Sequence, residues 1–253
     1  MPTILLSGAY GQLSSAVARL VREPFSILCG VDRSAAPTGD LDGAFPVYPC
    51  FDAVPVAPAL IIDASHHTVL SPLLQYACAH HTPVVLCTTG HTPSETSLIA
   101  QAAREIPLLQ SQNMAMGIHL IAALARRAAE VLGATYDVEI VEAHHRRKTD
   151  APSGSAYLLA NAVSEAFPEG KTMVCSRHDR DTPRTSREIG ISSIRGGTIA
   201  GEHTVLFCGG DEVITITHRA ESRDLFALGA LRAAAFLMDK PNGFYTMDDV
   251  CRL

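Results

Sequence analysis

The sequence predicts an α/β chain in two parts. A doubly wound parallel sheet comes first, and an α+β region with a mainly antiparallel sheet follows. Three observations carry this. Short apolar runs alternate with helix signals as far as Asn113. Glycine turns and helix N-caps separate them. Beyond Asn113 the strands lengthen and a Gly-Gly-Asp break suits a hairpin.

The elements follow in order. Thr3–Ser7 is a buried strand, Gly8 and Gly11 punctuate a turn, and Val17, Leu20 and Val21 recur at helical spacing. "FSILCGVD" is a second strand ending at Asp32. Residues 34–52 are rich in Pro, Gly and Asp and read as a surface excursion. "ALIIDAS" is a third strand, and Ser71-Pro72 opens a helix. "PVVLCTTG" is a fourth strand. Thr92, Pro93 and Glu95 form the clearest helix start, with a capping box. "IPLLQ" closes the first part. A long amphipathic helix then spans Met114–Leu132, stopped by Gly133. "YDVEIVEAHH" alternates like a half-buried strand, and "SGSAYLLANAVSEAF" is helical. Residues 168–188 are polar and read as a mobile loop. "IGISSIRGG" and "EHTVLFCGGDEVITITHRA" are strands, with the hairpin break at Gly209-Gly210-Asp211. "DLFALGALRAAAFLMDK" is a final helix that returns to either part.

Bulk properties exclude several classes of function. A 253-residue chain with 47% hydrophobic and 18% charged residues builds a folded core rather than a disordered tail. A net charge of −6 argues against nucleic acid as a general partner. Seven cysteines, none paired at metal-ligand spacing, suggest free thiols in a reducing compartment. The N-terminus lacks a basic leader, and no run reaches the ~20 apolar residues of a membrane span. The expectation is a cytoplasmic protein with no membrane partner and no metal.

Gly8 and Gly11, in "GAYGQL", form half of a dinucleotide fingerprint, with Ser14 where a third glycine would stand. A generic strand-to-helix turn is the competing reading. Context favours the dinucleotide, because backbone N–H groups at a helix start hold a pyrophosphate. Asp32 then falls about 20 residues on, where an acid bonds the adenosine ribose. Its neighbour Arg33 suits a 2′-phosphate instead. The pair points to use of both NADH and NADPH.

Three histidine doublets stand out: His66-His67, His80-His81 and His144-His145. His80-His81 suit a helix C-terminus. His66-His67 follow a strand at the C-terminal edge of the sheet, where an approach to a bound nicotinamide and a plain loop role are both open. No carboxylate joins any pair at zinc-protease spacing. His144-His145 differ, because Arg146, Arg147 and Lys148 follow at once and Ser153, Gly154 and Ser155 then open a helix. A helix N-terminus holds a carboxylate through backbone donors, Lys148 adds a charge, and a histidine donates a proton near neutral pH. The pattern suits a small dianionic substrate that must be protonated. A solvated basic loop is the plain alternative.

"EAHHRRKTDAPSGSA" closely resembles the E-x-H-H-x-x-K-x-D-x-P-S-G-T-A signature of the dihydrodipicolinate (4-hydroxy-tetrahydrodipicolinate) reductase family. "CTTG", "QNMAMG", "RGGTIAGEHTVLF", "THRAESRDLFALGAL" and "GFYTMDDV" resemble further blocks of that family along most of the chain. The resemblance implies a Rossmann-type dinucleotide-binding domain over 1–113 and a substrate-binding and tetramerisation domain over 114–222. It also implies a C-terminal segment, 223–253, that returns to the first. It implies hydride transfer from NADH or NADPH to a cyclic unsaturated dicarboxylate in diaminopimelate and lysine biosynthesis, by a homotetramer. His144 and Lys148 would be catalytic, and His145, Lys148, Gly154 and Ser155 would hold the substrate. Gly8, Ala9, Tyr10, Gly11, Gln12, Leu13, Asp32, Arg33, Thr88, Thr89, Gly90, Gln112, Asn113 and Met114 would contact the cofactor. The chain departs from the family pattern at Gln12, Ser14, Cys87 and Ser155. Gly196, Gly197, Gly201 and Glu202 read as structural. Arg146 and Arg147 have no assigned role; as strand neighbours they would point to opposite faces. Two other readings compete: another two-domain NAD(P) oxidoreductase, and a non-catalytic NAD(P)-binding sensor.

Overall fold

The computed structural model describes residues 1–35, 39–40, 44–178 and 181–252. The chain divides into two compact units. One comprises Met1–Ala115 and Asp224–Arg252, and the other Met116–Arg223.

The first unit is built on a row of strands, the central ones apolar on both faces, as a sheet covered on both sides demands. In chain order they are β1 (Thr3–Ser7), β2 (Ser26–Val31), β3 (Gly39–Asp40), β4 (Pro46–Tyr48), β5 (Leu60–Asp63), β6 (Val84–Leu86) and β7 (Pro107–Gln110). A last strand, Gly243–Tyr245, pairs in parallel with β7. The helices here are α1 (Gln12–Leu20), α2 (Leu70–Ala79), α3 (Pro93–Ala102) and two from the C-terminal segment, Asp224–Leu237 and Met247–Cys251. The sheet order puts β5 and β2 on either side of β1. The chain winds outward from β1 through β2 to β4, then crosses back to β5. Strand order therefore reverses between β1 and β5, and the crevice for a ligand lies at their C-terminal ends.

Strand alternation divides the core. Leu5, Ile61, Val84, Leu86 and Leu108 share one cluster with Leu70, Leu73 and Leu74 of α2 and Ile99 of α3. Ile4, Leu6, Ile62 and Val85, also fully buried, point to the opposite face. Each such side chain contributes about 1.5–3 kcal/mol by leaving water. On that face α1 packs against the helix Asp224–Leu237. That helix also lies close against the segment after residue 110, because a Cβ on Gly229 would collide with the Met114 carbonyl oxygen.

The second unit holds α4 (Met116–Leu132), β8 (Asp137–His144), α5 (Gly154–Ser164), β9 (Thr172–Cys175), β10 (Glu188–Arg195), β11 (Gly201–Cys208) and β12 (Val213–Ala220). The C-terminal elements of the first unit are α6 (Asp224–Leu237), β13 (Gly243–Tyr245) and α7 (Met247–Cys251). The five strands run β12-β11-β8-β10-β9. Buried Val138, Ile140, Val205 and Phe207 line the face on which α5 packs. Val141, Thr204 and Leu206, on the opposite beat, stay half-buried.

Several expectations change. The second sheet is mixed rather than mainly antiparallel. β11 pairs antiparallel with β12 and β8, whereas β10 pairs parallel with β8 and β9. The cause is connectivity, since α5 carries the chain back across the sheet and makes the strands that follow run parallel to β8. The polar segment 168–188 contains β9, an edge strand whose exposed Thr172 and Cys175 hide it from an apolar pattern; residues 179–180 of that segment lie outside the described residues. The surface excursion 34–52 holds β3 and β4, with 36–38 and 41–43 outside the described residues. Helix α2 starts at Leu70, because a 3-10 turn at His67–Val69 runs straight into it. Helix α4 starts two residues late, because the Asn113 side chain accepts from the Ala115 N–H (2.8 Å) and holds the chain in a turn.

Candidate functional site

In the first unit the turn after β1 is shaped by close backbone approach. Gly8 has φ +77°, and a Cβ there would lie 2.7 Å from the Ser65 Cα. Only glycine meets both demands. Its N–H donates to the Val31 carbonyl (2.8 Å), and the Gly11 N–H returns to the Gly8 carbonyl (2.9 Å). Ala9 is fully buried, fitted against Gly30, which has no Cβ to obstruct it. Tyr10 is exposed, Gly11 caps α1, and Gln12 and Leu13 form the first turn of that helix. Ser14 is fully buried, so the helix keeps its place against the sheet with a hydroxymethyl where a glycine was expected.

Asp32 follows β2. Its carboxylate accepts from the Tyr10 N–H (3.3 Å) and from the Ser34 N–H and hydroxyl (3.0 and 2.8 Å). Partial burial works to raise its pKa, but these bonds and the adjacent Arg33 outweigh that and hold it below the usual carboxylate value. Asp32, Gly8, Gly11 and exposed Arg33 line one cavity of about 600 Å³. Phe51 and Tyr76 wall its apolar side, with ring centroids 5.6 Å apart. Among the described residues the Tyr76 hydroxyl, buried there, has no hydrogen-bond partner. An apolar slot with an acid at its mouth and an unsatisfied hydroxyl in its wall matches the chemistry of a nucleoside.

Thr88, Thr89 and Gly90 (φ +80°) follow β6, and Gln112, Asn113 and Met114 follow β7. Both groups lie at the same C-terminal sheet edge but outside this cavity. Met114 itself is buried. The fully enclosed Asp63, which ends β5, escaped sequence reading. It accepts from the Thr88 hydroxyl and the Ser65 hydroxyl (2.6 Å each) and so ties the β6 loop to the switch point. The signal was a lone acid closing the apolar run "LII". His66 caps the 3-10 turn, and His67 pairs with Glu95 of the α3 capping box (2.9 Å). His66 also lines the cavity, whereas His67 does not.

In the second unit β8 ends in the signature stretch. Glu142 and His144 are two residues apart, so they share a sheet face. Glu142 falls on the same beat as Val138 and Ile140 and is fully buried. Its carboxylate accepts from His144 Nδ1 (2.6 Å), from both terminal nitrogens of Arg195 (2.8 and 2.7 Å) and from the Ser153 N–H (3.2 Å). Burial opposes its charge, but hydrogen bonds from Arg195, Ser193 and His144 prevail and hold its pKa down to about 2. For His144, burial pushes the pKa down, the Glu142 contact pushes it up, and Lys148 and Arg195 push it down; the net direction is below 6.5.

Parallel register places Arg195 beside His144, and antiparallel register places His203 beside Glu142. His203 is buried edge-on to His144, with centroids 5.1 Å apart, and Ser153 Oγ lies 3.0 Å from its Nε2. Burial and the charge of His144 lower its pKa to about 4. His145 Nε2 accepts from Arg223 (2.9 Å), which makes its neutral form the Nδ1–H tautomer, since arginine only donates. Lys148 is held by both oxygens of exposed Asp150 (2.8 Å). Ser153 caps α5 by accepting from the Ala156 N–H, and Gly154 and Ser155 form its first turn. Open space surrounds the Gly154 Cα where a side chain would stand. Arg146 and Arg147 lie on an exposed turn past the strand end, not on the strand itself. Sequence reading missed Glu142, Arg195, His203 and Arg223. Glu142 alone gave a local signal, a carboxylate on a buried beat.

The comparisons agree with one another. The family profile described as dihydrodipicolinate reductase, N-terminus, matches residues 2–114, and that for the C-terminus matches 117–251. A 4-hydroxy-tetrahydrodipicolinate reductase of Caldanaerobacter subterraneus is 41% identical, over 100% of this chain and 99% of that one. One from Clostridium tetani is 39% identical, over 98% and 96%. The solved dipicolinate-bound dihydrodipicolinate reductase of Paenisporosarcina sp. TG-14 superposes with a TM-score of 0.78, covering 97% of each chain. At 22% identity that likeness concerns the fold.

The thiols offer a chemical readout of the cavity. Cys50 lines it and is exposed, as Cys175 is elsewhere. Burial raises Cys29 to about 11 and pushes Cys87 up as well. Alkylation of the native protein, followed by peptide mass mapping, should label Cys50 and Cys175 first and spare Cys29 and Cys87. A saturating dinucleotide should slow labelling at Cys50 alone. An unchanged Cys50 rate would place the nucleotide elsewhere.

Proposed function

The chain belongs to the dihydrodipicolinate reductase family, and from that membership we propose how its own residues carry out the family's reaction. The activity is the NAD(P)H-dependent reduction of 4-hydroxy-tetrahydrodipicolinate to tetrahydrodipicolinate, in diaminopimelate and lysine biosynthesis. What carries the assignment of roles is one juxtaposition: an imidazole backed by a buried carboxylate, followed by a lysine and a helix N-terminus.

The first unit fits a nicotinamide dinucleotide. Gly8 leaves its backbone bare for a pyrophosphate, the cavity takes the adenosine end, and Asp32 bonds a ribose hydroxyl. Arg33, exposed at the same mouth, meets a 2′-phosphate when one is present. Thr88–Gly90 and Gln112–Met114 lie farther along the same edge, where the nicotinamide half would extend. The bound cofactor supplies the hydride.

The second unit holds the substrate and protonates it. One carboxylate meets the first-turn N–H groups of Gly154 and Ser155, where the helix dipole favours an anion. Lys148 exchanges Asp150 for a substrate carboxylate, and His145 lines the same pocket. Reduction of the conjugated ring leaves an enamine-like carbon that needs a proton. His144 delivers it, and Lys148 lowers the cost of the negative charge nearby. The half-covered sheet face around Val141, Thr204 and Leu206 forms the subunit contact of a homotetramer.

Three outcomes test this reading. His144→Ala and Lys148→Ala should each cut kcat by about a hundredfold in a coupled assay at 340 nm; turnover near wild type in either removes that residue's role. The Michaelis constants for NADH and NADPH should differ by less than about a thousandfold, and a stronger preference sinks dual use. Light scattering should give about four times the 26.9 kDa chain mass, and a monomer would contradict the assembly.

A further inference from the structure

We propose that Glu142 is the positioning residue of the protonation site: it holds His144 so that Nε2 alone delivers the proton, with Arg195 holding Glu142 in turn. This rests on His144 being the donor.

A carboxylate only accepts, so the 2.6 Å contact to Glu142 Oε2 assigns the hydrogen on His144 to Nδ1. The neutral ring then has its lone pair on Nε2, and the exchangeable proton adds and leaves there. The ring edge carrying Nε2 is kept open by Gly201, where a Cβ would come within 3.2 Å of that atom. Glu142 cannot drift. Arg195 grips both oxygens as a fork, and the Ser153 N–H adds a third direction. Arg195 also donates to the Asp150 carbonyl (2.6 Å), and Asp150 holds Lys148. One carboxylate therefore aligns the imidazole, the start of α5 and the lysine loop together.

The groups facing His144 are Glu142 on its own strand, Lys148 from the following loop, Arg195 from β10 and His203 from β11. Ser153, at the start of α5, adds no charge. Glu142 is the only one of these that favours the imidazolium. Removing its charge lowers the proton affinity of His144. A proton donor must be protonated to act, so the alkaline limb of the kcat profile then moves to lower pH.

The experiment records kcat and KM against pH for the wild type, Glu142→Gln, Glu142→Asp and His144→Ala. It also reads the tautomer of His144 in the wild type by ¹⁵N NMR. Glu142→Gln should lose roughly 10- to 100-fold in kcat, and its alkaline limb should move down by about one pH unit. Glu142→Asp, which keeps the charge, should restore the limb toward its wild-type position. The neutral wild-type imidazole should be the Nδ1–H form. A wild-type limb in Glu142→Gln overturns the positioning role even while His144→Ala is inactive, and so does an Nε2–H tautomer in the wild type. Full turnover in His144→Ala overturns the donor reading and the positioning role with it. Should Glu142→Gln fail to fold, the tautomer and Glu142→Asp still decide.

Discussion

A single carboxylate with no access to water organises the second unit. Glu142 sits where the alternation of β8 calls for an apolar residue, and it takes four hydrogen bonds, one from its own strand and three from two other elements. Such a buried pair adds little net stability, because lost hydration offsets the attraction. Removing one partner alone costs about 3–5 kcal/mol. What the arrangement supplies is position. The end of β8, the end of β10 and the start of α5 all have to be where Glu142 can reach them, and those three points surround the signature stretch.

The first unit solves a similar problem with neutral partners. Asp63 ends β5 as Glu142 nearly ends β8, and it is almost as enclosed. Its acceptors take hydroxyls from Ser65 and Thr88 rather than a guanidinium. The two bonds draw the loops after β5 and β6 inward at the point where strand order reverses. Gly8 completes that closure, because the turn after β1 presses against Ser65 at a distance no Cβ tolerates. Both units thus fix functional loops by burying an acid near the end of a central strand.

Charge follows a local logic that the net charge of −6 conceals. Lys148, Arg195 and Arg223 gather around two histidines, and each cation has a partner that limits it: Asp150, Glu142 and the His145 lone pair. Burial depresses the proton affinity of both His144 and His145 and the surrounding cations add to it, but for His144 the Glu142 carboxylate pulls the other way. Two adjacent histidines therefore differ in kind. His145, bonded to an arginine, is suited to stay neutral and accept. His144, bonded to a carboxylate, is suited to gain and lose a proton.

What was legible in the sequence was what local rules encode. Apolar runs and N-caps gave the order of strands and helices in the first unit, because a strand covered on both faces is continuous in sequence. Thr92 and Glu95 sit three residues apart, so their capping box is written in one place. The mixed pairing of the second sheet was not legible, since parallel register depends on a crossover and not on the strands themselves. The same limit hid half of the site. The "HHRRK" run is contiguous, but Arg195 lies 53 residues from Glu142 in sequence, and His203 lies 50 from Ser153. Those contacts exist only because β10 and β11 flank β8 in a particular register. A shift of one residue in β10 would turn Arg195 to the other face and leave Glu142 a buried charge without its guanidinium, and the same shift in β11 would take His203 away from Ser153. The carboxylate thus makes a wrong register expensive, and the residues that one sequence stretch cannot reveal are the ones that hold that register.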